Sequence, residues 1–327
     1  MPTAERARAP RATSSRSSAA LVGSLCYLFA SVFWGLNIPL TAELLKGFDP
    51  FWLTLCRYVV AASLLGTLVA ASLGPRALRS PIGLPRVMVL GLCVSAFLVC
   101  FTVGLMLTHP VTAAAVIAGS PVYVAAVSRI MTRAPFAKGF VPATVLTVLG
   151  AGIAIAGRSD AGLSLKGGEV LIVGSLASWT IYSILAQRWF EAPVPQLRRT
   201  WLSSVAAIPW LLAFWLVARA TGVAGEPNLS PDARSIVFLL ATAMLSTALS
   251  TVAWNIGVSR LGIAVGGLWQ NTVPVFAVLI SLVFFGVVPT GAQVLGGAVV
   301  LCGVAIMQWH SIRAARAAAR AGSAAAR

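Results

Sequence analysis

The 327 residues carry 58% hydrophobic and only 10% charged side chains, with a formal net charge of +16. A soluble domain carries about 25% charged residues, so a chain this apolar cannot cover its own surface and needs lipid as solvent. A span of about 20 residues crosses a hydrocarbon core of roughly 30 Å; ten spans with short connections fill the length and exclude a large soluble domain.

In chain order, residues 1–19 are Arg-, Ser- and Ala-rich and read as a disordered cytoplasmic tail, not a signal peptide, because the apolar run behind them is long and lacks a small-residue cleavage site. Apolar runs then predict helices at 20–42, 50–73, 86–107, 111–131, 138–157, 167–189, 200–220, 234–258, 263–285 and 291–309. The closest separations fall at Thr108-His109-Pro110 and Ser259-Arg260-Leu261. Residues 310–327 form an Ala/Arg-rich cytoplasmic tail, either a surface helix on anionic lipid or disordered.

Charge tests this count. With the N-terminus inside, 18 cations lie in cytoplasmic segments, five in external ones, and Arg57 falls inside the second helix. That bias predicts a multi-pass protein of the cell membrane with both termini cytoplasmic. The basic charge thus reads as an orientation signal, and nucleic-acid binding is not expected. The five cysteines (Cys26, Cys56, Cys93, Cys100 and Cys302) lie in apolar runs without CxxC spacing, and read as small buried hydrophobes. No metal or cofactor is expected. The lipid bilayer and a small-molecule substrate are the expected partners, for a monomer or homodimer.

Five spans per half predicts two inverted copies. A shift of 153 residues aligns Gly104 with Gly257, Pro121-Val122 with Pro274-Val275, and Gly150 with Gly303, although only seven of 54 positions are identical. The common order of features carries more weight: a mid-helix proline, a short connection, then a Gly-rich helix.

Several motifs are similar to those of the EamA family of the drug/metabolite transporter superfamily. They are FASVFWGLNIPL in the first helix, with Trp34-Gly35 and Asn37; Pro50 and Arg57; Gly168, Trp179 and Tyr182 in the sixth; and NTVPVFAVLISLVFFG in the ninth, followed by Gln293 and Gly296-Gly297. The resemblance spans roughly residues 20–309. It implies an all-α integral membrane fold of ten transmembrane helices as two inverted five-helix repeats, 20–157 and 167–309, around a central cavity worked by alternating access. It also implies a secondary transporter, mostly exporting amino acids, metabolites or toxic compounds. One departure stands out: Arg133 and Val287 occupy positions near which many members carry a Glu after helices four and nine.

Polar groups at membrane depth mark candidate sites. Arg57, roughly 10 Å into its helix, suits an anion or carboxylate contact; alternatively it snorkels outward or bonds Asn37. Gln270 and Asn271 precede Pro274, which frees the carbonyl of Gln270; they form either an uncharged solute site and hinge or an interhelical hydrogen bond. Pro121 and Tyr123 stand at the matching place in the fourth helix. Three- and four-residue spacing puts Tyr27, Ser31, Trp34 and Asn37 on one face, as it does Ser175, Ser178, Trp179 and Tyr182, and Thr247, Ser250, Thr251 and Trp254. These stripes suit a cavity for an amphipathic solute, or packing. The expected substrate-binding set is therefore Trp34, Asn37, Arg57, Tyr123, Trp179, Tyr182, Trp254, Gln270 and Asn271, with Pro121 and Pro274 as hinge or kink.

Other classes fit less well. A membrane-embedded enzyme needs a catalytic pair or cluster at depth, and both histidines lie near membrane surfaces. A channel needs a filter loop or charged ring, and none is visible here, nor anything that marks a receptor. A quaternary-amine pump calls for a buried acid, and every acid here lies outside the span centres. No catalytic residue is expected.

Overall fold

A computed structural model describes residues 11–108, 110–133, 135–136, 138–156, 166–190 and 194–324, and among these it is helical, without strands. The helices are α1 (Arg11–Leu44), α2 (Pro50–Leu73), α3 (Leu84–Met106), α4 (Pro110–Ala118), α5 (Ser120–Thr132), α6 (Phe140–Ala156), α7 (Gly168–Arg188) and α8 (Gln196–Ala220). There follow α9 (Ala233–Ala241), a π-helical segment (Thr242–Leu249), α10 (Ser250–Leu261), α11 (Ile263–Gln270), α12 (Val273–Phe285) and α13 (Gly291–Ala324). Eight stretches, Ile263–Phe285 among them, are long and apolar enough to cross a bilayer; α4 and α5 form a further pair bent by 47°, and α6 is a shorter apolar helix of 17 residues.

Local chemistry sets the ends. Asp49 caps α2, accepting from the backbone N–H of Phe51 (3.0 Å) and Trp52 (2.8 Å), with Pro50 in the first turn. Gly262 (φ 82°, ψ 157°) joins α10 to α11 in a backbone conformation closed to L side chains. Both ends of the chain run further in helix than expected. Residues 11–19 continue α1, and α13 continues to Ala324. The C-terminal extension is rich in Ala and Arg, which are strong helix formers, whereas residues 11–19 are mostly Ser and Thr.

Two predicted spans are broken. The expected 111–131 helix divides at Gly119, immediately before Ser120-Pro121. The expected 263–285 helix divides at Asn271-Thr272, just before Val273-Pro274. A proline lacks an N–H and its ring clashes with the carbonyl four residues back. Here each break restarts the helix with proline in its first turn. The predicted kinks at Pro121 and Pro274 are thus discontinuities.

Close packing is made at glycines. α6 and α13 form the most extensive helix pair, followed by α3 with α7, α1 with α10, α3 with α8, and α2 with α8. A Cβ on Gly150 would meet Gly296 O at 2.6 Å and Val300 N at 2.7 Å; one on Gly303 would meet Thr147 Cγ2 at 2.8 Å and Ala143 O at 2.9 Å. A Cβ on Gly104 would meet Ile172 of α7 at 2.8 Å, and one on Gly257 would meet the Tyr27 ring of α1 at 2.6 Å. Backbones approach this closely only where side chains are absent.

Candidate functional site

A cavity of about 1360 Å³ lies between the helices. Its mouth is bordered by helix ends: Leu45 and Phe48 after α1, Pro50 of α2, Leu105 and Met106 of α3, Ile155 of α6, and Pro289 and Gln293 around the start of α13. At mid-depth it is lined by Trp34, Trp179, Ser120, Gln270, Asn271 and Pro274. Towards the opposite membrane face the space is filled. There α5 packs on α11, and a Cβ on Gly267 would sit 3.2 Å from Val124. Tyr27, Trp254 and Leu268 are nearly inaccessible beside them, and the Tyr27 hydroxyl donates to Gly262 O (2.8 Å).

Among the described residues, Arg57 is the one charged side chain lining the cavity. Its Nη2 donates to Thr41 Oγ1 (2.6 Å), and Thr41 donates to Asn37 Oδ1 (3.2 Å). Its Nε is buried without a hydrogen-bond partner, and no carboxylate lies within ion-pairing distance among the described residues. A central Arg costs about 2.5–3.5 kcal/mol on membrane-insertion scales; Thr41 and the open cavity offset part of that. The acids near the mouth are engaged elsewhere. Glu43 pairs with Lys46 (2.8 Å) and Arg234 (3.7 Å), and Asp49 accepts from α2 and from Gly225 N (2.9 Å).

The floor is aromatic. Trp34 and Trp179 meet edge-on with centroids 5.9 Å apart, and Phe97 lies 5.0 Å from Trp179. Trp254 supports both from behind, 5.2 Å from Trp34 and 6.0 Å from Trp179. The π-helical segment fixes Trp34: its Nε1 donates to Ser246 O (3.0 Å), while Ser246 Oγ donates to Phe33 O (2.7 Å). Trp179 Nε1 and Gln270 Oε1 are buried without partners.

Asn271 ties the two broken spans together. Its Nδ2 donates to Ala118 O (2.9 Å), the last carbonyl of α4, and its Oδ1 accepts from Ser120 Oγ (3.2 Å), the first residue of α5. One amide therefore satisfies groups freed by the opposite break.

Of the expected set, Trp34, Asn37, Arg57, Trp179, Gln270, Asn271 and Pro274 line the cavity, whereas Tyr123, Tyr182, Trp254 and Pro121 stand outside its lining. Tyr182 is fully buried, its hydroxyl 3.1 Å from Ser203 Oγ and accepting from Asn255 Nδ2 (2.9 Å). Trp254 Nε1 donates to Ser183 Oγ (3.1 Å). The α7 stripe divides because Ser175 and Ser178 spend their hydroxyls on Ile172 O and Cys93 O. The 247–254 stripe divides because π-helical bonding runs i to i+5 and shifts the face; Ser246, Thr247 and Thr251 reach the cavity, Ser250 and Trp254 do not. Thr41, Phe97 and Phe101 were not anticipated. Thr41 lies one turn beyond Asn37, and Phe97 and Phe101 share a face of α3, so the same spacing rule would find them.

Known proteins agree with this architecture. The chain is 24% identical over 278 residues to the uncharacterized transporter YyaM of Bacillus subtilis (strain 168), an alignment covering 84% of this chain and 89% of that one. A solved crystal structure, 21% identical, superposes with a TM-score of 0.73 over 91% of this chain and 99% of its own. The EamA-like transporter family matches twice, over residues 21–156 and 166–309, so the chain belongs to that family of membrane transporters.

Proposed function

We propose that this protein is a ten-span secondary transporter of the cell membrane, built as two inverted five-helix halves, that exports a small metabolite by alternating access. In this reading the bent α4–α5 pair and the α11–α12 pair each make one span, α6 makes another, and both termini are cytoplasmic.

Support for the two halves comes from contacts that recur under a fixed shift. Gly150 meets Gly296, Val299 and Val300; Gly303 meets Ala143, Leu146 and Thr147. Adding 153 to the second set of partners gives the first. Gly104 against Ile172 and Gly257 against Tyr27 are also related, the glycines by 153 and their partners by 145, the offset that also pairs Trp34 with Trp179. The helix pairs follow suit: α3 with α7 matches α10 with α1, and α5 with α7 matches α12 with α1.

The observation that carries the proposal is where this correspondence fails. The shift maps α5 onto α12 and α4 onto α11, so the packed pair α5–α11 should have a counterpart in α4–α12. Instead α4 and α12 both line the open cavity, through Ala114, Ile117, Ala118, Val275, Val278 and Leu279. A near-symmetric molecule holding one seal closed and its equivalent open has a second state of comparable packing available to it. The open end is the one to which the cation bias assigns the outside, so this state faces outward.

Solute uptake and release in proteoliposomes against a metabolite panel tests the function, with Trp179→Ala and Gln270→Ala expected to reduce flux. Turnover of a lipid or peptide without any solute movement would overturn it. An epitope in the loop 222–232 should be accessible from outside intact cells, and a cytoplasmic location would overturn the topology.

A further inference from the structure

Building on that transport reading, we infer that the cargo is an amphipathic organic anion, its carboxylate-type group held by Arg57 and its apolar body resting on Trp34, Trp179 and Phe97.

The hydrogen-bonding state of the cavity points this way. Arg57 has five N–H donors in a planar fork that matches a carboxylate, yet it makes one hydrogen bond, to Thr41, and no ion pair. No Asp or Glu lines the cavity among the described residues. Meanwhile two carbonyls at the helix breaks are already occupied. Ala118 O accepts from Asn271, and Trp269 O accepts from Ser31 Oγ (3.1 Å) and Thr272 Oγ1 (2.7 Å). A cation entering here would meet an uncompensated guanidinium and no lining carboxylate among the described residues. An anion meets unspent donors in an apolar surround, where charge-assisted bonds are strengthened. The start of α12, lining the same cavity at Val273 and Pro274, adds the positive end of a helix dipole.

Geometry sets the cargo's length. Trp34 and Thr41 are seven residues apart on α1, about 10 Å along its axis, and Thr41 holds the Arg57 head. An anion on Arg57 with its body on the tryptophan floor therefore spans roughly 10 Å. That length suits an arylalkyl carboxylate rather than an inorganic anion. Gln270, also in the lining, offers a buried acceptor, Oε1, for an N–H on such a cargo.

Three arylalkyl probes with a fixed negative, a neutral and a fixed positive head group test this on the full-length protein: 3-phenylpropanesulfonate, 3-phenylpropanol and phenethyltrimethylammonium. Binding is read by tryptophan fluorescence in detergent, and flux by release from proteoliposomes. The sulfonate should bind about 10- to 100-fold more tightly than the alcohol, as expected for a hydrogen bond to a charged group. Arg57→Gln should bring that ratio close to one, with folding of the variant checked by its helical circular dichroism and its size-exclusion profile. Arg57→Lys should restore part of the preference. If the ammonium or the alcohol bound best and was released while the sulfonate was not, the anion assignment would fall and transport would stand. If none of the three, and no member of the metabolite panel, moved, both would fall.

Discussion

Gly267 sits in the seal between α5 and α11, where a Cβ would lie 3.2 Å from Val124 Cβ and Cγ1 and 3.4 Å from Pro121 Cα. An alanine needs only a few tenths of an ångström; the further atoms of Gly267→Leu have no space while α5 and α11 stay packed. Overpacking costs about 1–3 kcal/mol, and this cost falls on the sealed state alone, so it shifts the balance towards the inward-facing state by about 5- to 150-fold. From an inward population of roughly 1%, the variant would reach about 5% to 60%. A Thr247→Cys reporter, in a background lacking the five native cysteines, lines the cavity and is shielded from the cytoplasmic side by that seal. Its reaction with a membrane-impermeant maleimide in inside-out vesicles should accelerate about 5- to 60-fold, following that population change. Gly174→Leu, at a glycine with nothing within 4 Å of its Cβ, should leave the rate unchanged. A folded Gly267→Leu protein with an unaltered cytoplasmic labelling rate would refute the assignment of α5–α11 as the closed gate.

Three further outcomes follow from packing and capping. Asn271→Ala removes two buried hydrogen bonds, each worth about 0.6–1.7 kcal/mol in a membrane protein, so unfolding measurements should show a loss of roughly 1–3 kcal/mol. Gly296→Ala should destabilise far more than Gly297→Ala in a thermal-shift assay. The added Cβ meets Gly150 O in the first case, and only the Val275 methyls at 3.5 Å in the second. Asp232 caps α9, accepting from Ser235 N (2.7 Å), and hydrogen bonding by the Ser235 side chain and then by this N–H lowers its carboxyl pKa below the ordinary value. A depressed carboxylate pKa stabilises the folded state above the unfolded value, and that contribution disappears as pH falls through the folded one. Amide exchange at Ser235 should therefore be protected at neutral pH, lose protection on acidification, and lose it at all pH values in Asp232→Ala.

Apolar runs located the eight stretches long and apolar enough to cross a bilayer, because lipid demands long apolar runs whatever the tertiary contacts, although the terminal helices extend beyond them. The breaks were marked by Pro121 and Pro274, but whether a proline kinks or divides a helix depends on partners supplied elsewhere, here the Asn271 amide bonded to Ala118 and Ser120. Helix-face spacing found Trp34, Asn37 and Trp179, which the cavity brings together, and equally proposed Tyr182 and Trp254, which it leaves behind the wall. The difference lies in neighbours distant in sequence: Asn255 and Ser203 for Tyr182, Ser183 for Trp254. The π-helical turn has no compositional signal in TAMLSTAL, and it decides which hydroxyls of that span face the solute. Arg57 was conspicuous from sequence as the one cation more than a few residues from the end of a predicted span, whereas its lack of an acidic neighbour is a property of the folded helices.

Counterflow tests the central claim most directly. Proteoliposomes loaded with an unlabelled transported solute are diluted into a trace of the same solute carrying a label. Alternating access predicts a transient accumulation of label above its equilibrium level, reduced in Trp179→Ala, because each return of the cavity carries solute back across. A flux insensitive to the internal solute, or no flux at all from a folded protein, would contradict the account.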